Sequence, residues 1–246
     1  MTSYLETIVS FMLGLPREGP GDDRYTEHLY ALLALPPSPR VADMGSGSGA
    51  ATLVLARLGA DVTAVDLVPE FLQRLARRAE REGLSDRVRT MAVSMDAVPA
   101  DVGPFDLIWS EGALYTIGFD RGLTVWRDLL VPGGYVVVSE MSWLVDDPPA
   151  EAWEYWRTAY PGMRSVAENE VAVQAAGYRW LGSVLLPDEA WEAFYVPQRE
   201  RLAEWKNRAL SAREEDLVRE VEEEMRLSAA HRTAYGYVFY LMRRED

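Results

Sequence analysis

The segment Val41-Ala-Asp-Met-Gly-Ser-Gly-Ser-Gly49, followed at once by Ala50-Ala-Thr-Leu-Val-Leu-Ala-Arg-Leu58, constrains this chain more than any other. A short apolar run, three alternating glycines and an amphipathic run read as strand, turn and helix. Without side chains in the turn, a ligand can lie against bare backbone N–H groups at the N-terminus of the following helix. A nucleotide-like ligand fits such a loop, although glycine-rich turns also serve tight packing.

The same alternation continues downstream. Strands are expected over Arg40 to Met44, Asp61 to Val65, Val88 to Val93, Phe105 to Trp109 and Tyr135 to Glu140. Helices are expected over Ala50 to Leu58, Pro69 to Glu82 and Asp120 to Leu130. Strands that alternate with helices require crossover connections, and these place the strands parallel with both faces covered. Asp22 to Leu35 reads as a helix ahead of the first strand, because Tyr25, Leu29, Leu32 and Leu33 share a face and Pro36-Pro37 stops it. After Glu140 aromatic residues crowd in. A helix over Ser165 to Ala176, a strand over Arg179 to Leu186, one or two charged helices over Asp188 to Arg232 and a last strand over Tyr235 to Arg243 are expected. The two late strands should pair antiparallel at the sheet edge. The expected fold is α/β, a Rossmann-like open, mostly parallel seven-stranded sheet with helices on both faces. Residues 1–39 form an N-terminal helical segment, and 40–246 form the main domain with a helical lid at about 187–233.

Bulk properties exclude several chemistries. A net charge of −14 opposes a polyanionic partner, since a nucleic-acid groove needs basic residues to displace counterions. Cysteine is absent and only His28 and His231 are present, so disulfides, thiolate metal centres and a cysteine nucleophile are ruled out and no metal site is expected. No run approaches the roughly 18 apolar residues of a membrane span. The opening Met1-Thr-Ser-Tyr-Leu-Glu6 lacks the basic start of a signal peptide, so a cytoplasmic protein, monomeric or homodimeric, is expected.

In doubly wound sheets ligands bind beyond the carboxyl ends of the strands. Four such ends carry polar residues here. The glycine loop is the first. Asp66, 17 positions beyond Gly49, is the second; its carboxylate can accept both hydroxyls of a ribose or cap the helix that follows. Ser94-Met-Asp-Ala-Val98 is the third, where Asp96 can accept from an exocyclic amine and the Ala97 N–H can donate to a ring nitrogen. Trp109-Ser-Glu-Gly-Ala-Leu-Tyr115 is the fourth, and polar groups directly after a buried strand are costly to place idly.

Together these segments resemble the class I S-adenosylmethionine-dependent methyltransferases, over roughly residues 40 to 140. The features that carry the resemblance are Asp43 ahead of Gly45-Ser-Gly-Ser-Gly49, the acidic strand end Asp66, the pair Asp96-Ala97, and Phe105-Asp-Leu-Ile-Trp-Ser-Glu111. A closer resemblance, to bacterial small-molecule methyltransferases of uncharacterised substrate, runs through Arg17-Glu-Gly-Pro-Gly21, Ile108-Trp-Ser-Glu-Gly-Ala-Leu-Tyr-Thr-Ile-Gly118 and Gly133-Gly-Tyr-Val-Val-Val-Ser-Glu140. The resemblance implies S-adenosylmethionine as cofactor. Gly45, Ser46 and Gly47 would pass beneath its methionine part with Asp43 near the amino group, and Asp66 would hold the ribose. Leu67 would pack on adenine, Asp96 and Ala97 would read its edge, and Ser110 would line the methionine end. Arg17 would meet the cofactor carboxylate or form a surface ion pair.

The implied reaction is in-line methyl transfer to an oxygen, nitrogen or carbon nucleophile of a small molecule. It depends mainly on alignment and exclusion of water. Should the acceptor need a base, Glu111 is the candidate, with a structural cap as its other reading; Tyr115 would orient the acceptor or pack against the lid. The late aromatic residues, Trp143 to Trp205, form either a pocket wall or plain core. Two competing readings stand beside this one. An NAD-dependent oxidoreductase expects GxGxxG in place of GxGxG, and a non-catalytic regulator would keep the fold and only sense the cofactor.

Overall fold

The computed structural model describes residues 3–246; Met1 and Thr2, part of the opening read for a signal peptide and of the N-terminal helical segment, lie outside the described residues. Two helices come first, α1 (Tyr4–Met12) and α2 (Asp23–Ala31). Then β1 (Arg40–Met44), α3 (Ala50–Arg57), β2 (Asp61–Asp66), α4 (Pro69–Arg81), β3 (Val88–Ala92), β4 (Phe105–Glu111), α5 (Phe119–Arg127) and β5 (Leu130–Trp143) alternate as expected. The remainder is α6 (Ala150–Ala159), β6 (Arg164–Ser165), α7 (Val166–Ala175), β7 (Tyr178–Leu185), α8 (Asp188–Lys206), α9 (Ala212–His231) and β8 (Tyr235–Arg244).

The strands lie in the order β3-β2-β1-β4-β5-β8-β7. The first five run parallel, and β8 lies antiparallel to both β5 and β7, as the late strands were expected to pair. Seven long strands match the expected number. The two-residue β6, which pairs with the end of β5, adds an eighth that is too short to leave a periodic trace in sequence. The helix expected over Asp22–Leu35 ends at Ala31, because the chain must leave the α conformation before Pro36 and turns through Leu32 to Leu35.

Every residue of β1 after Arg40 is buried, as a central parallel strand with covered faces requires. On one face Leu29 of α2 and Leu55 of α3 pack against Leu107 and Trp109 of β4. On the other, Leu123 and Trp126 of α5 and Val173 of α7 pack against Ile108, Val136 and Tyr240. A third cluster joins α1 to α8 and α9, where Phe11 meets Trp205 edge-on at 5.1 Å beside Leu202, Leu217 and Val221. Capping boxes at Ser3/Glu6 and Ser211/Glu214 fix the first turns of α1 and α9.

Strand order reverses at β1, whose neighbours β2 and β4 lead to opposite edges of the sheet. The glycine loop leaves β1 at this crevice. Gly49 caps α3 with φ +87°, and a Cβ there would stand 2.1 Å from Leu75 Cδ1 of α4. The loop therefore depends on glycine both for its backbone conformation and for the close seat of α4. Gly49→Ala is expected to cost roughly 1–3 kcal/mol in a urea unfolding titration, the range for overpacking a filled site; an unchanged midpoint would show that Leu75 yields freely.

Glu140, in the middle of β5, is 1% exposed. Its Oε1 accepts from the Met141 N–H at 3.2 Å and its Oε2 has no partner among the described residues. Burial pushes its carboxyl up to about 8, while the Met141 N–H pulls it back only in part. The folded state thus holds the proton more tightly than the unfolded chain, and stability is lost as pH rises from the ordinary glutamate range towards 8. Thermal unfolding followed from pH 5 to pH 9 should show Glu140→Gln close to the parent at the acid end and more stable at the alkaline end. Parallel curves for the two proteins would contradict the assignment.

Candidate functional site

Two cavities open at the carboxyl end of the sheet. The first, of about 440 Å³, lies over the glycine loop and is lined by Arg17, Glu18, Asp43, Gly45, Ser46, Gly47, Asp66, Leu67, Glu111 and Tyr115 together with Ile8, Met12 and Phe71. The second, of about 740 Å³, shares Ile8, Met12, Glu18, Gly112 and Tyr115 with it and continues between α1, α6, α8 and α9. Both sizes suit small-molecule ligands. A third cavity of about 100 Å³ between β7, α8 and α9 shares no lining residue with either.

Positive φ at Gly45, Gly47 and Gly49 lets the loop fold back on itself. The Gly45 and Ser46 N–H groups both donate to the Val65 carbonyl, at 2.8 and 2.9 Å, which stitches the loop to β2. The Gly47 N–H donates to Asp66 Oδ2 at 2.8 Å and the Ser48 N–H to Glu18 Oε2 at 3.1 Å. These four loop donors are therefore occupied by the protein itself. No side chain caps α3 among the described residues, so its N-terminus, where Ala50 and Ala51 line the cavity, keeps its attraction for an anion.

Asp66 also accepts from the Val68 N–H at 2.8 Å, so it fixes the turn that leads into α4 and braces the loop at once. Burial raises its carboxyl, with the Val68, Gly47 and Leu67 N–H groups opposing. Beside it Leu67 is 66% exposed, an apolar side chain with open space for a flat ligand over it. Asp43 is 1% exposed and accepts from Thr52 Oγ1 at 2.5 Å. Burial drives its carboxyl up to about 7, the Thr52 hydroxyl lowers it, and the charges of Glu111 and Asp66 add to the rise.

Glu111 ends β4 and receives three donors: Arg17 Nη2 at 3.0 Å, Thr26 Oγ1 at 2.8 Å and Trp109 Nε1 at 2.9 Å. These contacts tie the 17–21 turn and α2 to the sheet. Arg17 Nε, in the cavity wall, has no partner among the described residues. Tyr115 stacks edge-on to Tyr160 with centroids 5.8 Å apart, on the border of the two cavities.

Three expected residues stand outside the lining. Asp96 turns away to accept from Arg121 Nε of α5 at 2.8 Å, and the Ala97 N–H closes a turn on the Ser94 carbonyl at 2.9 Å, so Ser94 and Met95 line the cavity in their place. Ser110 is fully buried and donates to the Met44 carbonyl at 2.8 Å, sewing β4 to β1. In the other direction, sequence reasoning passed over Glu18, Ile8 and Met12. Glu18 sits within the Arg17–Gly21 turn that drew notice only for its arginine. Ile8 and Met12 are four positions apart on one helical face, a signal that a closer reading of α1 would have caught.

A family model described as a methyltransferase domain matches residues 41–134. Over 105 residues the chain is 32% identical to a ubiquinone biosynthesis O-methyltransferase of Psychrobacter arcticus, which covers 42% of this chain and 41% of that protein. The chain spans between 24% and 54% of the length of the first curated relatives it matches. Its fold is that of an S-adenosylmethionine-dependent methyltransferase from Geobacter sulfurreducens solved with S-adenosyl-L-homocysteine, with a TM-score of 0.84, 19% identity, and 98% and 99% of the two chains covered. A second such structure, from Thiobacillus denitrificans, gives a TM-score of 0.81 at 22% identity over 97% of each chain. Residues 41–134 thus match a methyltransferase domain model, and the chain as a whole has the fold of these methyltransferase structures.

Proposed function

We propose that the chain is an enzyme that transfers a methyl group from S-adenosylmethionine to a small-molecule acceptor. The observation that carries this reading is the convergence, at the point where strand order reverses, of a glycine loop, the strand-end carboxylate Asp66 and the exposed apolar Leu67 in one cavity. The cavity fits the cofactor in its chemistry. A Cβ at Gly45 would stand 2.3 Å from Ala113 Cβ and one at Gly47 would stand 2.6 Å from Glu18 Oε2, so the cradle leaves no room for side chains. Asp66 would hold the ribose hydroxyls, Leu67 and Phe71 the adenine, and Asp43 with Glu18 the cationic amino group. When bound, the cofactor supplies an electrophilic methyl group on a sulfonium.

The chain's own work is then placement and drying. Glu111, held by three donors, acts as the anchor that fixes Arg17 and the 17–21 turn over the cavity, a positioning role in preference to a basic one. Tyr115 stands where the two cavities meet and would orient the acceptor. The helical lid at about 187–233 is proposed to exclude water, together with α1, with which α8 and α9 share an apolar cluster. The net charge of −14 favours a small molecule over a nucleic acid as acceptor. The family match favours this reading over the oxidoreductase; a regulator would share the fold and differ in lacking turnover.

Calorimetry with S-adenosylhomocysteine tests the cofactor site. Asp66→Ala should weaken binding about tenfold or more, equivalent to roughly 1.4 kcal/mol. Gly47→Val should abolish it, since the loop at φ +52° has no space for a branched side chain. Parent-like affinity in both variants, or no binding by the parent, would remove the proposal.

A further inference from the structure

The second cavity differs from the first in the chemistry of its wall. Tyrosine rings dominate it, among them Tyr115, Tyr155, Tyr160 and Tyr237. Its ionisable lining, apart from tyrosines, consists of Glu18, Glu154, Glu220 and Glu224, and no Lys, Arg or His lines it among the described residues. Glu154 is answered by Arg157 at 2.6 Å and Glu18 faces Arg74 at 3.9 Å. Glu220 and Glu224 have no cation partner among the described residues; Tyr4 donates to the first, and Tyr195 donates to the second at 3.2 Å.

Glu224 is the informative one. On α9 the residues Leu217, Val221 and Glu224 fall at helical spacing on the face that lines the cavity, so a carboxylate occupies a place where the stripe calls for an apolar side chain. Glu224 is half-buried, and withdrawing a carboxylate even partly from water without a cation is costly; burial raises its carboxyl above the usual range. Glu224 lines the cavity together with Tyr115 and Tyr237.

We propose that this cavity takes a nitrogen base as methyl acceptor, an amine with an apolar body held as its cation between tyrosine faces and the Glu224 carboxylate. The assignment rests on the methyl-transfer reading and narrows its substrate class. Ring faces attract a cation, the more so when it is desolvated, and an ammonium supplies the charge that Glu224 lacks. An anionic acceptor meets unpaired carboxylates, and a neutral alcohol leaves them unanswered. For transfer, the bound ammonium gives one proton to Glu224, which frees the nitrogen lone pair. That pair forms the N–C bond as the C–S bond breaks, and the electrons of the broken bond return to sulfur.

The test is binding of matched probes to the full chain saturated with S-adenosylhomocysteine, read by calorimetry: phenethylamine, 2-phenylethanol and 3-phenylpropionate. The amine should bind at least tenfold more tightly than either of the others, and Glu224→Gln should erase that preference while affinity for S-adenosylhomocysteine is kept and the unfolding midpoint is kept or raised. With S-adenosylmethionine, product mass should show methylation of the amine alone. Equal or tighter binding of the alcohol or the carboxylate by the parent protein overturns the acceptor class whatever the variant does, as does an amine preference that survives in the variant. Failure to bind S-adenosylhomocysteine overturns the methyl-transfer reading and the acceptor with it, whereas binding of S-adenosylhomocysteine without amine preference sinks the acceptor class alone.

Discussion

The contact on which the rest of the site depends is the one between Asp66 and the backbone of the glycine loop. One carboxylate oxygen takes the Gly47 N–H and the other takes the Val68 N–H, so the end of β2 holds the exit of β1 and the entry to α4 together. Only a loop without side chains can come so close, and only a carboxylate offers two acceptors in one plane. The contact places both strand ends and the start of α3 around one cavity. Leu67 is left exposed beside it because its neighbours on either side are fixed by these bonds.

Negative charge accumulates around this contact. Asp43, Asp66, Glu18 and Glu111 surround the first cavity, and Arg17 is the basic residue among its lining. Such an arrangement costs stability, as the raised carboxyls of Asp43 and Asp66 record. On the methyl-transfer reading, a ligand carrying a sulfonium and an ammonium would relieve that cost on binding, and a cation in the second cavity would answer Glu224 in the same way. Two adjoining spaces that both favour cations are consistent with a reaction in which positive charge is present before the transfer and after it.

The walls of the second cavity come from parts of the chain far apart in sequence. Tyr4 on α1, Tyr155 and Tyr160 around α6, Phe194 on α8 and Glu224 on α9 meet there, joined below by the Phe11–Trp205 contact. The N-terminal helix therefore packs with the late helices. A shared apolar cluster ties their positions together, so a change in α1 would be felt at the second cavity as well as at the first, which it also lines.

The sequence alone determined the α/β alternation, the antiparallel late pair and the place of the crevice. Those follow from local periodicity and from glycines whose conformation no other residue adopts cheaply. It also pointed to Asp43, Asp66 and Glu111, because a carboxylate at the end of an apolar strand is visible without knowing its neighbours. Which groups a side chain faces was settled only in three dimensions. Asp96 turns to Arg121, Ser110 is spent on the Met44 carbonyl, and Glu111 is enclosed by Arg17, Thr26 and Trp109, all partners from other elements. Glu18 and Glu224 carry no local signature either, since a glutamate in a turn or on a charged helix looks solvated until the fold brings a wall against it. Hydrogen bonds and burial are properties of the packed chain, and linear spacing does not contain them.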